Sequence, residues 1–361
     1  MEEKVLNTRM ENLGFTERIL MEATLHEGLY LGRVISQSKD LYRVAMTDGE
    51  LYAEVSGKMR HQAASVLEFP VVGDYVMVDR ESDEKGNGII HEILHRKSLF
   101  VRKAAGKTQK PQAVGANIDT VFLCMALNND YNLRRLERYF AVALDSGAAP
   151  VIVLTKSDLC GNLEEKKMEV EKTVLGYDVL VTSAYVENGH EILKPYLSAG
   201  KTVAFIGSSG VGKSTLINRL LGEEAMETQG LRNDDKGRHT TTSRELFLLP
   251  EGGAVIDTPG MRELGIDHAN IEESFEDISD LALQCRFHDC RHEKEPGCAI
   301  KEALEEGRLD RARYENYLKL KAENKYEGLS SRQIEDRKIK EMFGGKKEMK
   351  KLRKEFKSKN R

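Results

Sequence analysis

No stretch of this 361-residue sequence approaches the roughly 18 consecutive apolar residues that a membrane-spanning helix needs. The longest apolar runs, such as Val121–Leu127, have the length of a strand, so no membrane partner is expected. Met1–Leu20 is polar and mixed in charge and lacks the apolar centre of a secretory leader, so export is not expected either. A dominant charge is also missing. The 55 Lys and Arg stand against 59 Asp and Glu, a formal net charge of -4, with a pI near 6.2. That balance argues against a chain that coats a polyanion by charge alone. Cysteine is scarce and odd in number, five in all, with three of them inside Cys285–Cys298. Such a distribution suits a reducing cytoplasm and one local metal site better than a disulfide framework.

What is present suffices for folded cores. Hydrophobic residues make up 40% and charged residues 32%, the proportions of a globular chain, and at about 100–200 residues per domain the length allows two or three domains. The charge is unevenly spread. Lys346–Arg361 carries nine Lys or Arg against two Glu, a local +7 that leaves -11 on the rest. This tail reads as a solvated arm or as a patch for an anionic partner.

Residues 1–28 form a polar extension with one short helix near Glu17–Ala23. In residues 29–105, Leu31–Ile35, Leu41–Met46, Leu51–Val55, Tyr75–Val78 and Ile89–Leu94 have strand character, with turns at Thr47–Glu50, Gly73-Asp74 and Gly86–Gly88. Five short strands so spaced suggest a small barrel of the OB type. Its Tyr30, Tyr42, Tyr52 and Tyr75 serve either as core or as a stacking surface for RNA. Arg102–Gln112, with Arg102, Lys103, Lys107 and Lys110, reads as a basic linker.

From 112 to 267 apolar strands alternate with amphipathic helices. The strands are Thr120–Ala126, Pro150–Leu154, Val179–Thr182, Val203–Ile206, Leu246–Leu249 and Ala254–Ile256. Leu136, Phe140 and Ala143 recur at helical spacing, as do Met168 and Leu175. The pattern predicts an α/β domain with a mostly parallel sheet covered on both faces. Residues 268–330 read as a charged helical segment around a Cys/His cluster, and 331–361 as a basic helix or tail.

Gly207-Ser208-Ser209-Gly210-Val211-Gly212-Lys213-Ser214-Thr215 follows the strand Val203–Ile206 and precedes a helix over Thr215–Leu221. This is the phosphate-loop pattern. Its glycines let backbone N–H groups converge on phosphates, Lys213 brings positive charge to the β and γ oxygens, and Ser214 can place its hydroxyl on Mg²⁺. Asp257-Thr258-Pro259-Gly260 ends another strand. Asp257 can hold Mg²⁺ through water, and the Gly260 N–H can face a γ-phosphate. Between them, Gly237-Arg238-His239-Thr240-Thr241-Thr242 can supply a threonine, taken as Thr241, that closes over the metal when a triphosphate is bound. The base reader stands earlier in the chain, as Thr155-Lys156-Ser157-Asp158. The Asp158 carboxylate can accept from guanine N1–H and the 2-amino group, a pair adenine does not offer. Ser183 and Ala184, at the end of their own strand, can offer a backbone N–H to the base carbonyl.

This motif order is a circular permutation of the usual GTPase order. Preceded by a small barrel and followed by a Cys/His cluster, the chain resembles the ribosome small-subunit-dependent GTPase A family from about residue 29 to about residue 320. The likeness runs through Asn117-Ile118-Asp119, the GTPase motifs and Glu295-Pro296-Gly297-Cys298. It departs at Thr155, where most of the family has Asn. Met261 stands where many GTPases place a water-orienting Gln, so hydrolysis by the chain alone should be slow. The resemblance implicates His239 as the residue that assists instead, beside Lys213 and Thr241.

Cys285-x4-Cys290-x-His292-x5-Cys298 supplies three thiolates and an imidazole, a donor set for one closed structural Zn²⁺. The alternative is a group of small buried thiols. His288 is a competing imidazole, and the family pattern favours His292. The resemblance implies a cytoplasmic, monomeric protein that hydrolyses GTP to GDP with Mg²⁺. It also implies binding to the small ribosomal subunit and its rRNA late in assembly, with hydrolysis stimulated there. Because Met261–Asp267 leads straight from the D-T-P-G segment into the zinc segment, nucleotide state is expected to set the latter's orientation. Two rivals remain: an RNA-binding module with a structural, unhydrolysed guanine nucleotide, and a P-loop kinase or ATPase.

Overall fold

Every second side chain of Glu50–Val55 is apolar. In the computed structural model this stretch is a strand whose Leu51, Ala53 and Val55 point inward while Glu50, Tyr52 and Glu54 face out. The structure describes residues 9–82, 84, 86–103, 111–183, 185–186, 188–222, 244–257, 274–293 and 295–324. They fall in two compact units, one within Met1–Lys103 and Pro111–Ile266 and the other within Asp267–Arg361. Among the described residues no helix is long and apolar enough to cross a membrane.

The first unit includes α1 (Glu17–Ala23), β1 (Tyr30–Ser38), β2 (Leu41–Ala45), β3 (Glu50–Val55), α2 (Gly57–Gln62), β4 (Tyr75–Val78) and β5 (Gly88–Ile93). The strands neighbour one another in the order β1-β2-β3-β5-β4, and β4 pairs back onto β1, closing a five-stranded barrel. Val34, Val44, Leu51, Ala53, Val76 and Ile90 fill its centre. A Cβ at Gly32 would lie 2.4 Å from a Val44 methyl, so β1 and β2 pack this closely only with glycine there. Tyr42 and Tyr75 are core, whereas Tyr30 and Tyr52 are exposed. Burial pushes the Tyr42 hydroxyl up to about 12.

β6 (Leu99–Lys103) and β7 (Pro111–Ala116) form an antiparallel pair that matches Arg102 with Gln112 and Lys103 with Pro111. The ends of the stretch read as a basic linker are therefore strands, their ladder hidden in sequence by the run of cations. The α/β core follows with β8 (Thr120–Ala126), α3 (Leu133–Ser146), β9 (Ala149–Thr155), α4 (Leu163–Thr173), β10 (Val179–Val181), β11 (Thr202–Gly207), α5 (Lys213–Leu221), β12 (Arg244–Leu248) and β13 (Ala254–Asp257). Its sheet runs β10-β9-β8-β11-β13-β12, parallel except at β12. On one face Phe122, Val153, Phe205 and Val255 pack with Leu216 and Ile217 of α5 and with Leu193 and Leu197. The alternate residues Val121, Leu123 and Met125 are buried too, and α3 packs on β8 and β9 with Leu136, Phe140 and Ala143 buried. Of the helical pair Met168 and Leu175, both are exposed and the helix stops at Thr173. The buried stripe is instead Val170 and Val174, four residues apart.

Barrel and core share one sheet, because β1 pairs with β12 through Ser36–Glu245 and Gln37–Arg244. Arg43 of β2 adds an ion pair to Glu245. Arg33 is fully buried. It donates to the Leu13 carbonyl at 2.8 Å and to the Thr202 hydroxyl at 2.7 Å, with its guanidinium carbon 4.9 Å from the Tyr75 ring centre. Asn117, buried with φ 56°, accepts from Lys97 N at 3.1 Å and donates to the Gly73 carbonyl at 3.1 Å. Asp119 accepts from Thr202 N at 2.8 Å. The Asn-Ile-Asp segment thus braces the start of β11.

Asp74 is fully buried and accepts two bonds from Arg96, at 2.8 and 2.7 Å, while Arg96 also donates to the carbonyls of Leu67 and Phe69. Removing one partner of a buried pair strands the other charge. Asp74→Ala should therefore cost about 3–5 kcal/mol, seen as a lower urea midpoint with an unchanged slope. A midpoint equal to the wild type would show that water reaches Arg96.

The second unit contributes α6 (Glu276–Leu283), α7 (Ala299–Glu305) and α8 (Arg311–Asn324). Phe275, Ile278, Ile300, Ala303, Tyr317 and Leu320 make its small core. Arg313 of α8 clamps Asp277 of α6 with two bonds, at 2.9 and 2.7 Å.

Candidate nucleotide and metal sites

The strand β11 is buried along its whole length and ends at Gly207. A Cβ on Gly207 would lie 2.6 Å from the Cys124 carbonyl oxygen of β8, so only glycine fits at this exit. Gly210 (φ 76°) and Gly212 (φ 106°) then take conformations closed to most side chains, and α5 starts at Lys213, two residues before the expected helix. Ser214 and Thr215 lie in its first turn. Lys213 Nζ donates to the carbonyls of Gly207 and Ser208, each at 2.8 Å, which folds the ammonium over the loop that also holds Ser209 and Val211.

Parallel pairing of β9 with β10 sets Leu154 beside Val181, which brings the two segments expected to read the base together at one end of the sheet. Lys156 turns the chain with φ 56°, and the Ser183 hydroxyl, which accepts from Tyr185 N at 3.1 Å, donates to the Asp158 carboxylate. The Thr155 hydroxyl donates to the Val211 carbonyl inside the phosphate loop at 2.7 Å. The threonine that departs from the family pattern thus ties base reader to phosphate loop. Asp257 closes β13, whose Ile256 is in register with Ala204 of the parallel β11, so its carboxylate stands at the same sheet end as Gly207. Ala184, His239, Thr241, Thr258–Gly260 and Met261 lie outside the described residues.

One contact had no motif to announce it. The Ser208 hydroxyl donates to Asp130, which also pairs with Arg135 at 2.9 Å. Burial raises the Asp130 carboxyl, but the bonds from Ser208 and Arg135 outweigh it and hold it below its ordinary value.

In the second unit, Cys285 Sγ and Cys298 Sγ lie 3.6 and 3.5 Å from His292 Nδ1 and 3.9 Å from each other. With Cys290, all four donor atoms fall within 4.8 Å of one another. Zinc–sulfur bonds of about 2.3 Å in a tetrahedron require thiolates about 3.8 Å apart, the spacing of Cys285 and Cys298, so the donor set is compatible with zinc. His292 stands in the group, whereas His288 is exposed and outside it.

A family model described as RsgA GTPase matches residues 93–267. A model described as ABC transporter matches residues 191–354, a span that includes the phosphate loop. Small ribosomal subunit biogenesis GTPase RsgA 2 of Lactiplantibacillus plantarum is 48% identical, covering 95% of this chain and 97% of its own. Among solved structures, YjeQ from Thermotoga maritima is 32% identical with a TM-score of 0.60, covering 82% of this chain and 98% of that one. YloQ, described as a circularly permuted GTPase, is 26% identical with a TM-score of 0.58, covering 83% and 96%. A base reader that precedes the phosphate loop in the chain yet sits beside it in the sheet is what permutation produces, and with likeness along nearly the whole length the chain belongs to the RsgA family of circularly permuted GTP hydrolases.

Proposed function

We propose that this GTPase acts in biogenesis of the small ribosomal subunit, binding that subunit and its rRNA in the cytoplasm as a monomer. GTP hydrolysis would be slow alone and faster on the subunit. The partner is supported by the L. plantarum relative, whose name states that role. Guanine selectivity is supported by Asp158, held by Ser183 beside a loop to which Thr155 is bonded. In this reading Asp158 accepts from guanine N1–H and the 2-amino group, while Ser183 and Ala184 face the base carbonyl. Gly207–Thr215 wraps the phosphates, with Lys213 on the β and γ oxygens. Ser214, Thr241 and Asp257 hold Mg²⁺, which when bound neutralises charge on the phosphates. His239 assists where Met261 cannot orient water. Cys285, Cys290, His292 and Cys298 hold a structural Zn²⁺. Residues 29–105, 112–267 and 268–330 divide this work as barrel, GTPase and zinc domains.

The test is GTP turnover with and without purified small and large subunits. Acceleration by the small subunit alone is expected. Equal acceleration by both would remove the partner. No turnover under any condition would favour an RNA-binding module with a structural nucleotide.

A further inference from the structure

The connection from β8 to α3, residues 127–132, carries none of the nucleotide motifs, yet it reaches the phosphate loop. The Ser208 hydroxyl donates to Oδ2 of Asp130, 78 residues earlier in the chain. Oδ1 of Asp130 is 2.9 Å from the Arg135 guanidinium, which also donates to the Asp130 main-chain carbonyl. The connection is itself braced. Asn128 Oδ1 accepts from Asp130 N at 3.0 Å, the Tyr131 hydroxyl donates to Glu169 of α4 at 2.7 Å, and Lys166 Nζ stands 4.8 Å from the centre of the Tyr131 ring. Asp130 also lies within electrostatic reach of Lys156 in the base reader.

Local preference opposes Arg135 where it stands. Arg134 and Arg135 fill the first turn of α3, which contains no acidic residue, although the helix dipole disfavours cations there. Arg134 is compensated by the buried Glu137. Arg135 is compensated by Asp130, the anchor of the phosphate loop. Residues that break a local rule mark sites under another demand. Here the demand is electrostatic, since a bare carboxylate beside a phosphate-binding loop repels what the loop must bind.

We propose that Asp130 and Arg135 are a positioning pair for the nucleotide. Asp130 fixes the phosphate loop through Ser208, and Arg135 cancels the negative charge that this anchor would otherwise set against the phosphates. The inference rests on the assignment of Gly207–Thr215 as the phosphate loop.

Titration of the full-length chain with fluorescent GDP tests it. Arg135→Ala should bind about tenfold more weakly, and the loss should deepen as salt is lowered. Arg135→Lys, which keeps the charge, should stay within about threefold of wild type. Asp130→Asn should bind at least as tightly as wild type, because its amide oxygen still accepts from Ser208. The double variant Asp130→Asn with Arg135→Ala should recover most of the loss. A purely structural brace predicts the opposite, with the double variant as weak as the single one and no dependence on salt, and that result overturns the proposal. So does an Arg135→Ala protein that binds like wild type. If Arg135→Ala melts early, Asp130→Asn decides alone, and weaker binding by that variant overturns the proposal. A wild-type chain that binds no guanine nucleotide would overturn the phosphate-loop assignment as well, which distinguishes the two failures.

Discussion

Asp158→Asn should lower GTP affinity by about 10²–10⁴-fold, because two hydrogen bonds to a charged acceptor are lost at about 1.5–3 kcal/mol each. The structure specifies how the loss arises. Ser183 Oγ already accepts from Tyr185 N, so its own proton points to Asp158. An asparagine would keep its carbonyl oxygen against that proton and turn its amide N–H toward the base. Guanine then meets donors with donors. Xanthine carries a carbonyl at position 2, so xanthosine triphosphate should gain on GTP in the variant. Competition titrations with both nucleotides measure the reversal. Unchanged GTP affinity would show that the Asp158 carboxylate does not read the base.

The second large effect concerns metal. The core of the second unit is small, and cores of this size rarely hold a fold without a staple. Structural zinc sites contribute on the order of 10 kcal/mol at neutral pH, most of it as folding free energy. One Zn²⁺ per chain is expected by elemental analysis. Cys290→Ser should lose it together with the cooperative melting of the second unit. GDP affinity should change by less than about threefold, because the described residues proposed to bind base and phosphates belong to the first unit. A folded, metal-free wild type would leave the three cysteines as packed thiols beside His292.

Much of this was legible in the sequence because it is periodic or local. Alternation in Leu51–Val55 gave a barrel strand its two faces, and Thr120–Ala126 is a strand at the bounds its apolar run implies. The phosphate loop, the base reader and the Cys/His spacing are compact in sequence, and the structure brings each together. What escaped depends on distant partners. Arg33 sits inside the apolar run Leu31–Ile35, and its reason is Thr202, 169 residues later. Thr155 departs from the family's Asn, and the partner of its hydroxyl, the Val211 carbonyl, lies 56 residues further along the chain. Asp130 belongs to no motif; the only local sign of its role was a pair of arginines opening a helix. Met168 and Leu175 fit a helical period by chance, since nothing in a sequence says where that helix stops. β6 ends in Arg102-Lys103 and β7 opens on Pro111-Gln112, so the stretch between 102 and 112 reads as a basic linker rather than as strand ends.

The two rungs between β1 and β12 bear on how such a chain can have been assembled in evolution. A barrel joined to a catalytic core by a tether can be replaced wholesale by an unrelated one. This barrel cannot, because its replacement would have to present a strand edge in register with Arg244 and Glu245, an acceptable partner for Glu245 where Arg43 now stands, and a buried donor for Thr202. Losing the barrel would bare part of β12 as an open edge, a surface on which chains stack onto one another. Barrel and core are therefore expected to be inherited together, with residues 33 and 202, and 43 and 245, changing in pairs.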